Sequence, residues 1–209
     1  MPHTQWLWLI PALPLLGSIL CGAIHFLTLK ARKSDSSAAG PSRLAPLVAC
    51  LGVGIPFALS VMAFITLKGL EPAARVLESS AWDWINTGTF GIDVSMVVDP
   101  LSSIMLLVVT GVGLLIHIYS AGYMKGDPGY AKFFAYLNLF IAMMLMLVLS
   151  SNLLGLFIGW EGVGLCSYLL IGFWYEKGFP AEAGQKAFVA NRIGDAFFII
   201  GSFLLIRLF

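Results

Sequence analysis

The chain reads as an all-α integral membrane fold of about six transmembrane helices, with a β-hairpin in the outer loop between the second and third. Three observations predict this. Hydrophobic residues make up 59% of the 209 and charged residues only 11%, under half the roughly 25% charged content of an average soluble domain. Six apolar stretches, residues 6–29, 44–67, 101–119, 131–149, 153–173 and 186–207, are each long enough to cross a hydrocarbon core about 30 Å thick. Between the second and third, apolar residues fall at positions 90, 92, 94, 96 and 98, the two-residue period of a strand.

Composition also excludes some classes. A net charge of +1 leaves no basic excess for nucleic acid, so the lipid bilayer is the first partner. Cys21, Cys50 and Cys166 stand in separate apolar runs without ligand spacing. Neither a disulfide framework nor a metal site is expected from them.

The first span, Trp6 to Leu29, has no Lys or Arg before it and is longer than a signal-peptide core. It is expected to be a retained helix. Lys30 to Arg43 is small and polar, a flexible spacer. Residues 1–70 thus form an N-terminal helix pair, followed by an outer loop over 71–100. In that loop Trp82 and Trp84 precede an Asn86-Thr87-Gly88 turn signal. A lone hairpin is only marginally stable in water, so this one is expected to pack on the membrane helices or on a partner subunit. Asp99-Pro100 supplies a capping carboxylate and a first-turn proline for the third span. Ser150-Ser151-Asn152 is the only link between the fourth and fifth spans, which must therefore be antiparallel neighbours.

Loop charges set the orientation. The first, third and fifth loops carry Lys30, Arg32, Lys33, Arg43, Lys125, Lys132, Lys177 and Lys186, against Lys68, Arg75 and Arg207 in the N-terminus, the second and fourth loops and the C-terminus. The positive-inside rule places the N-terminus outside and the odd loops in the cytoplasm.

Glu161 is the only ionisable carboxylate of the fifth span, roughly 12 Å from one end of it and close to the bilayer midplane. A charge there costs on the order of 3 kcal/mol on insertion scales, and such residues mark ion or proton paths. The plainer alternative is a permanently protonated carboxyl bonded to a neighbouring helix. Gly155, Gly159, Gly162 and Cys166 form a small-residue seam that lets another helix approach closely. Glu161 lies one position off it. In the sixth span Arg192 and Asp195 are three apart and share a face. Asp195 is expected roughly 13 Å deep, level with Glu161, so Glu161, Asp195 and Arg192 can form one buried polar cluster; a purely structural salt bridge is the alternative for the Arg192–Asp195 pair. Lys186, at the interface, fits a snorkelling anchor. His117 has two readings, a proton relay or, with Tyr119 and Tyr123, part of an interfacial aromatic belt.

Several runs carry a resemblance: Asp99-Pro-Leu-Ser102, Val109 to Met124, Phe133 to Phe140, Gly159 to Phe173 and Lys186 to Asp195. They closely resemble the L subunit of NADH-quinone oxidoreductase, bacterial complex I, also called the subunit 5 family. The resemblance implies an antiporter-like subunit of the membrane arm that couples quinone reduction to proton pumping in the inner membrane, beside other membrane-arm subunits. It implies that the glutamate at 161 pairs with a lysine on later helices and switches protonation, and that Arg192 and Asp195 belong to the same polar axis. NADH, flavin, iron–sulfur clusters and quinone are implied in partner subunits, with no cofactor in this chain. Residues 101–209 would then begin the proton-translocating antiporter-like domain. Members of the family are far longer, so the chain is expected to be an N-terminal fragment or a truncated gene product holding part of the first proton channel. Two other readings stay open: the large subunit of a multi-subunit sodium/proton antiporter or membrane-bound hydrogenase, and a non-catalytic membrane scaffold.

Overall fold

A computed structural model describes residues 4–34, 44–88 and 91–208. Residues 35–43 of the expected polar spacer, and Phe90 of the alternating stretch, lie outside the described residues. The order is α1 (Leu9–Ser34), α2 (Leu44–Gly69), β1 (Leu77–Asn86), β2 (Gly91–Val98), α3 (Pro100–Tyr123), α4 (Tyr130–Leu149), α5 (Leu153–Ile171) and α6 (Phe179–Leu208). A short 3₁₀ turn, Gln5–Trp8, leads into α1. Among the described residues, six helices are long and apolar enough to cross a membrane, and the protein is a multi-pass membrane protein.

Most expected ends hold within two or three residues. However, α1 continues to Ser34, so the first residues of the expected flexible spacer are helical, and α3 runs on to Tyr123. The largest difference is at the start of the sixth span. Hydropathy begins it at 186, whereas α6 begins at Phe179. Gly178, at φ +74°, turns the chain, and Pro180 and Glu182 suit a first helical turn. Those polar turns are helical without being apolar, which a hydropathy window cannot register.

α4 is the hub, packing on α1, α2, α3 and α5, while α6 packs chiefly on α5. Two apolar clusters fill the α1–α4 bundle. The one at the hairpin end holds Leu7, Ile10, Val53, Leu106, Ile141 and Leu145. The one at the far end holds Cys21, Ala45, Ala49, Met124, Phe134 and Phe173.

The hairpin is antiparallel, from Leu77 opposite Val98 to Asn86 opposite Gly91. Asn86 Oδ1 accepts from Gly88 N at 3.0 Å, closing the expected turn. The register shifts between Ser80 and Trp82 and between Asp83 and Ile85; such bulges twist an edge away from further pairing. As its marginal stability requires, the hairpin leans on the helices. Leu77, Met96 and Val98 are buried in the hairpin-end cluster. Trp82 stacks on Trp8 at 6.4 Å, and Asn152 Nδ2 donates to the Asp93 carbonyl at 2.8 Å. The Ser95 and Ser151 hydroxyls also bond to each other.

α3 starts with a reciprocal cap. Asp99 Oδ1 accepts from Ser102 N at 2.6 Å, and Ser102 Oγ accepts from Asp99 N at 2.8 Å. The Ser102 N–H holds the Asp99 carboxyl below the usual carboxylate range. Stability from a lowered folded-state value is present above the unfolded value, about 3.9, and is lost as pH falls through the folded value. Asp99→Ala is therefore expected to cost about 1 kcal/mol at neutral pH. Asp99→Asn should keep the cap there and flatten the acid-side loss. Thermal midpoints in detergent at neutral pH and below about pH 4 check both; an Ala variant as stable as its parent would refute the cap's contribution.

Candidate functional site

Glu161 is the ninth of the 19 residues of α5, so the carboxylate stands midway along the span. Asn152 starts that helix by accepting from Gly155 N at 2.8 Å. The small-residue seam faces α4: a Cβ on Gly159 would lie 2.5 Å from Leu147 N and 2.6 Å from Leu147 Cα, and one on Gly162 would lie 2.5 Å from Met143 Sδ. The α4 and α5 backbones meet there. Glu161, two residues from Gly159 and thus on the other side of the helix, faces α6 instead.

There it meets the expected partners. Arg192 Nη1 forms an ion pair with Glu161 Oε2 and reaches Asp195 Oδ2 at 3.5 Å. One guanidinium nitrogen therefore lies between two carboxylates from adjacent helices. Trp160, which sequence reasoning left as an apolar residue, donates Nε1–H to Asp195 Oδ1 at 2.7 Å. Its ring stacks on Phe198 at 6.1 Å. On the other side the guanidinium lies over the Phe188 ring at 4.6 Å.

Burial across the three is graded where the sequence suggested a uniformly buried cluster. Side-chain exposure is 5% for Asp195, 25% for Glu161 and 47% for Arg192, because Arg192 emerges on the open face of α6. Formal charges of −1, −1 and +1 leave the group one proton short of neutrality. In a low-dielectric span that is a place where a proton can be held and passed on.

The other two candidates lie elsewhere. Lys186 is exposed on α6, about 9 Å of helical rise before Arg192. His117 is 0% exposed, which removes it from an aromatic belt. Tyr119 and Tyr123, at 69% and 57% exposure, stack on each other without it. His117 instead bonds to Gly113 O at 2.7 Å and to Asn138 Nδ2 at 3.2 Å. Asn138 was not singled out in the sequence, although a lone amide in an apolar span is the signal that could have found it.

Two family models match the chain. One, described as NADH-Ubiquinone oxidoreductase (complex I), chain 5 N-terminus, covers residues 84–134. The other, NADH:quinone oxidoreductase/Mrp antiporter, TM, covers residues 150–208. NADH-quinone oxidoreductase subunit L of Mycobacterium tuberculosis is 42% identical over 96% of this chain and 30% of its own length. The chain belongs to the NADH-quinone oxidoreductase subunit L (chain 5) family. Subunit L of Escherichia coli is 49% identical over 75% of the chain and 26% of its own length. NAD(P)H-quinone oxidoreductase chain 5 of Synechocystis is 41% identical over 94% and 28%. The chain thus spans under a third of the length of these curated relatives. The membrane-bound sulfane sulfur reductase, an archaeal respiratory membrane complex, shares the fold with a TM-score of 0.70 at 18% identity, over 95% of this chain and 36% of that one. Within the subunit L match, Glu161, Arg192 and Asp195 all fall in the second model and His117 in the first.

Proposed function

We infer that this chain works as a proton-translocating membrane subunit of an NADH:quinone oxidoreductase, with Glu161, Arg192 and Asp195 holding and releasing the proton. The observation that carries this reading is the bridge from Arg192 to two carboxylates at mid-span. Protonating Glu161 loosens its hold on Arg192, which can then lean on Asp195, where Trp160 keeps the carboxylate in place. Deprotonation draws the guanidinium back. The group alternates between two pairings, as a relay requires.

Residues 101–209 belong to the antiporter-like unit in this reading, the hairpin lies on the outer face of a bacterial inner membrane, and the N-terminus is outside. Lys186 anchors α6 at the cytoplasmic interface. Redox chemistry is assigned to partner subunits, together with NADH, flavin, iron–sulfur clusters and quinone. An iron–sulfur cluster takes four thiolates in one place. The chain has three cysteines, on α1, α2 and α5, and all are free.

The test is Glu161→Gln in the assembled oxidoreductase, read as NADH-driven acidification of inverted membrane vesicles. Translocation is expected to fall by roughly tenfold or more, since a positioned proton-transfer group is worth about 10²–10⁴-fold, with insertion unchanged. Normal pumping by Glu161→Gln and by Asp195→Asn would leave a scaffold that only docks other subunits. The second family description also names an Mrp antiporter, which favours one further reading, a large subunit of a multi-subunit sodium/proton antiporter. Proton movement driven by a sodium gradient without NADH would select it.

A further inference from the structure

Between the two apolar clusters of the α1–α4 bundle sits a polar pair that the reading above does not use. His117 and Asn138 are both 0% exposed. The Gly113 carbonyl can only accept, so its 2.7 Å contact with Nδ1 fixes the ring proton there. Nε2 then carries the lone pair, and Asn138 Nδ2 donates to it at 3.2 Å and to the Phe134 carbonyl at 3.1 Å. Both amide hydrogens are thereby used. Asn138 Oδ1 is left with no hydrogen-bond donor, pressed between α1 and α2. A Cβ on Gly17 would approach it to 2.8 Å and one on Gly52 to 2.9 Å. A buried acceptor without a donor is unfavourable and rare.

We propose that His117 and Asn138 form a second proton-binding site, in which the Asn138 amide turns half a revolution to receive the proton that His117 takes up. The incoming proton bonds to the Nε2 lone pair. The resulting imidazolium donates Nδ1–H to Gly113 O, as before, and Nε2–H now points at an amide hydrogen. Rotation replaces that hydrogen by Oδ1, the acceptor left idle in the neutral arrangement. Nδ2 moves to the place Oδ1 held, on the side where the Leu13 carbonyl lies 3.5 Å from the same Gly52 Cβ point. The Phe134 carbonyl keeps its helical partner four residues on. Glycine at 17 and 52 leaves room for the exchange, because any side chain there would meet the turning amide.

The groups around this site are mostly neutral. Cys21 and Tyr130 share the far-end cluster with Phe134, whose ring lies 6.2 Å from that of His117. Among the described side chains, the fixed charges of these helices stand near their ends, at Lys30, Lys68 and Lys132, and α3 carries none. A proton on His117 is therefore answered by the Gly113 and Asn138 dipoles, which makes the amide decisive. The inference does not rest on the reading of Glu161. Asn138 and Leu147 are nine residues apart on α4, about half a turn in phase, so α4 separates this pair from the α5–α6 cluster.

The experiment is ¹⁵N solid-state NMR of the full chain in lipid bilayers, with His3→Gln and His25→Gln leaving His117 as the only imidazole. From about pH 8 to about pH 5, the range of a histidine switch, His117 should pass from the Nδ1–H tautomer to imidazolium while the Asn138 side-chain amide shifts with it. In Asn138→Leu the imidazolium population at the acid end should fall about tenfold, the weight of one hydrogen bond to a charged group. Glu161→Gln should leave these signals unchanged, which separates this site from the cluster. A His117 that stays neutral, an amide that does not move, or an Asn138→Leu protein that protonates like its parent overturns the proposal. The first two results need only the parent chain, so they decide the matter even where Asn138→Leu does not fold.

Discussion

Replacing Gly159 with alanine is expected to force α5 off α4 and to cost about 3 kcal/mol, the upper end for overpacking a well-filled interior. The added methyl would sit 2.5 Å from Leu147 N, 2.6 Å from its Cα and 2.7 Å from its Cβ. Two of those three atoms are backbone, and no rotamer change moves them. The neighbouring glycines make a graded control. At Gly162 the methyl meets the Met143 thioether, which is flexible and can swing aside, so a milder loss is expected. At Gly194 and Gly201 nothing lies within 4 Å, and alanine should be neutral or slightly stabilising through helix propensity. Because Glu161 is one helical step from Gly162, the Gly159→Ala shift should also loosen the bond to Arg192. Unfolding of each variant in mixed micelles supplies the comparison. Equal stability of Gly159→Ala and Gly194→Ala would refute the claimed backbone contact.

The sequence carried the parts of this fold that hydrophobicity and charge encode. Six spans, the Asp99 cap, the Asn86 turn and the three-residue link between α4 and α5 were legible because each follows from local chemistry. Glu161, Arg192 and Asp195 were legible because an ionised side chain in hydrocarbon is too unfavourable to be incidental. What escaped depends on neighbours distant in sequence. The first two turns of α6 are polar and so invisible to an apolar window. Trp160 was not singled out, because its indole N–H finds its partner 35 positions away on Asp195. Asn138 offered only a lone amide in an apolar span, and its pairing with His117 depends on contacts between α4 and α3 that neither holds by itself. The graded burial of the charged cluster belongs to the same class, since the angle between α5 and α6 sets it and neither helix encodes that alone.

Arg192→Met is expected to leave Glu161 and Asp195 facing a vacated cation. Asp195, 5% exposed, retains the Trp160 N–H at 2.7 Å, which orients a carboxylate without neutralising it. Breaking a fully buried pair costs about 3–5 kcal/mol. Arg192 is 47% exposed, and exposed pairs contribute about 0–1 kcal/mol, so a loss of about 2 kcal/mol is the expected middle. The cost is repulsion between two like charges sharing a site, which one proton relieves. The loss should therefore shrink in the double variant Glu161→Gln/Arg192→Met, with a coupling that a double-mutant cycle reads directly. Arg192→Lys should recover only part of the stability, because it keeps the charge but loses the flat guanidinium that lies over the Phe188 ring at 4.6 Å. Thermal midpoints of these variants at neutral pH are the measurement. If Arg192→Met is as stable as its parent, or if Glu161→Gln does nothing to its deficit, the guanidinium is not what reconciles the two carboxylates.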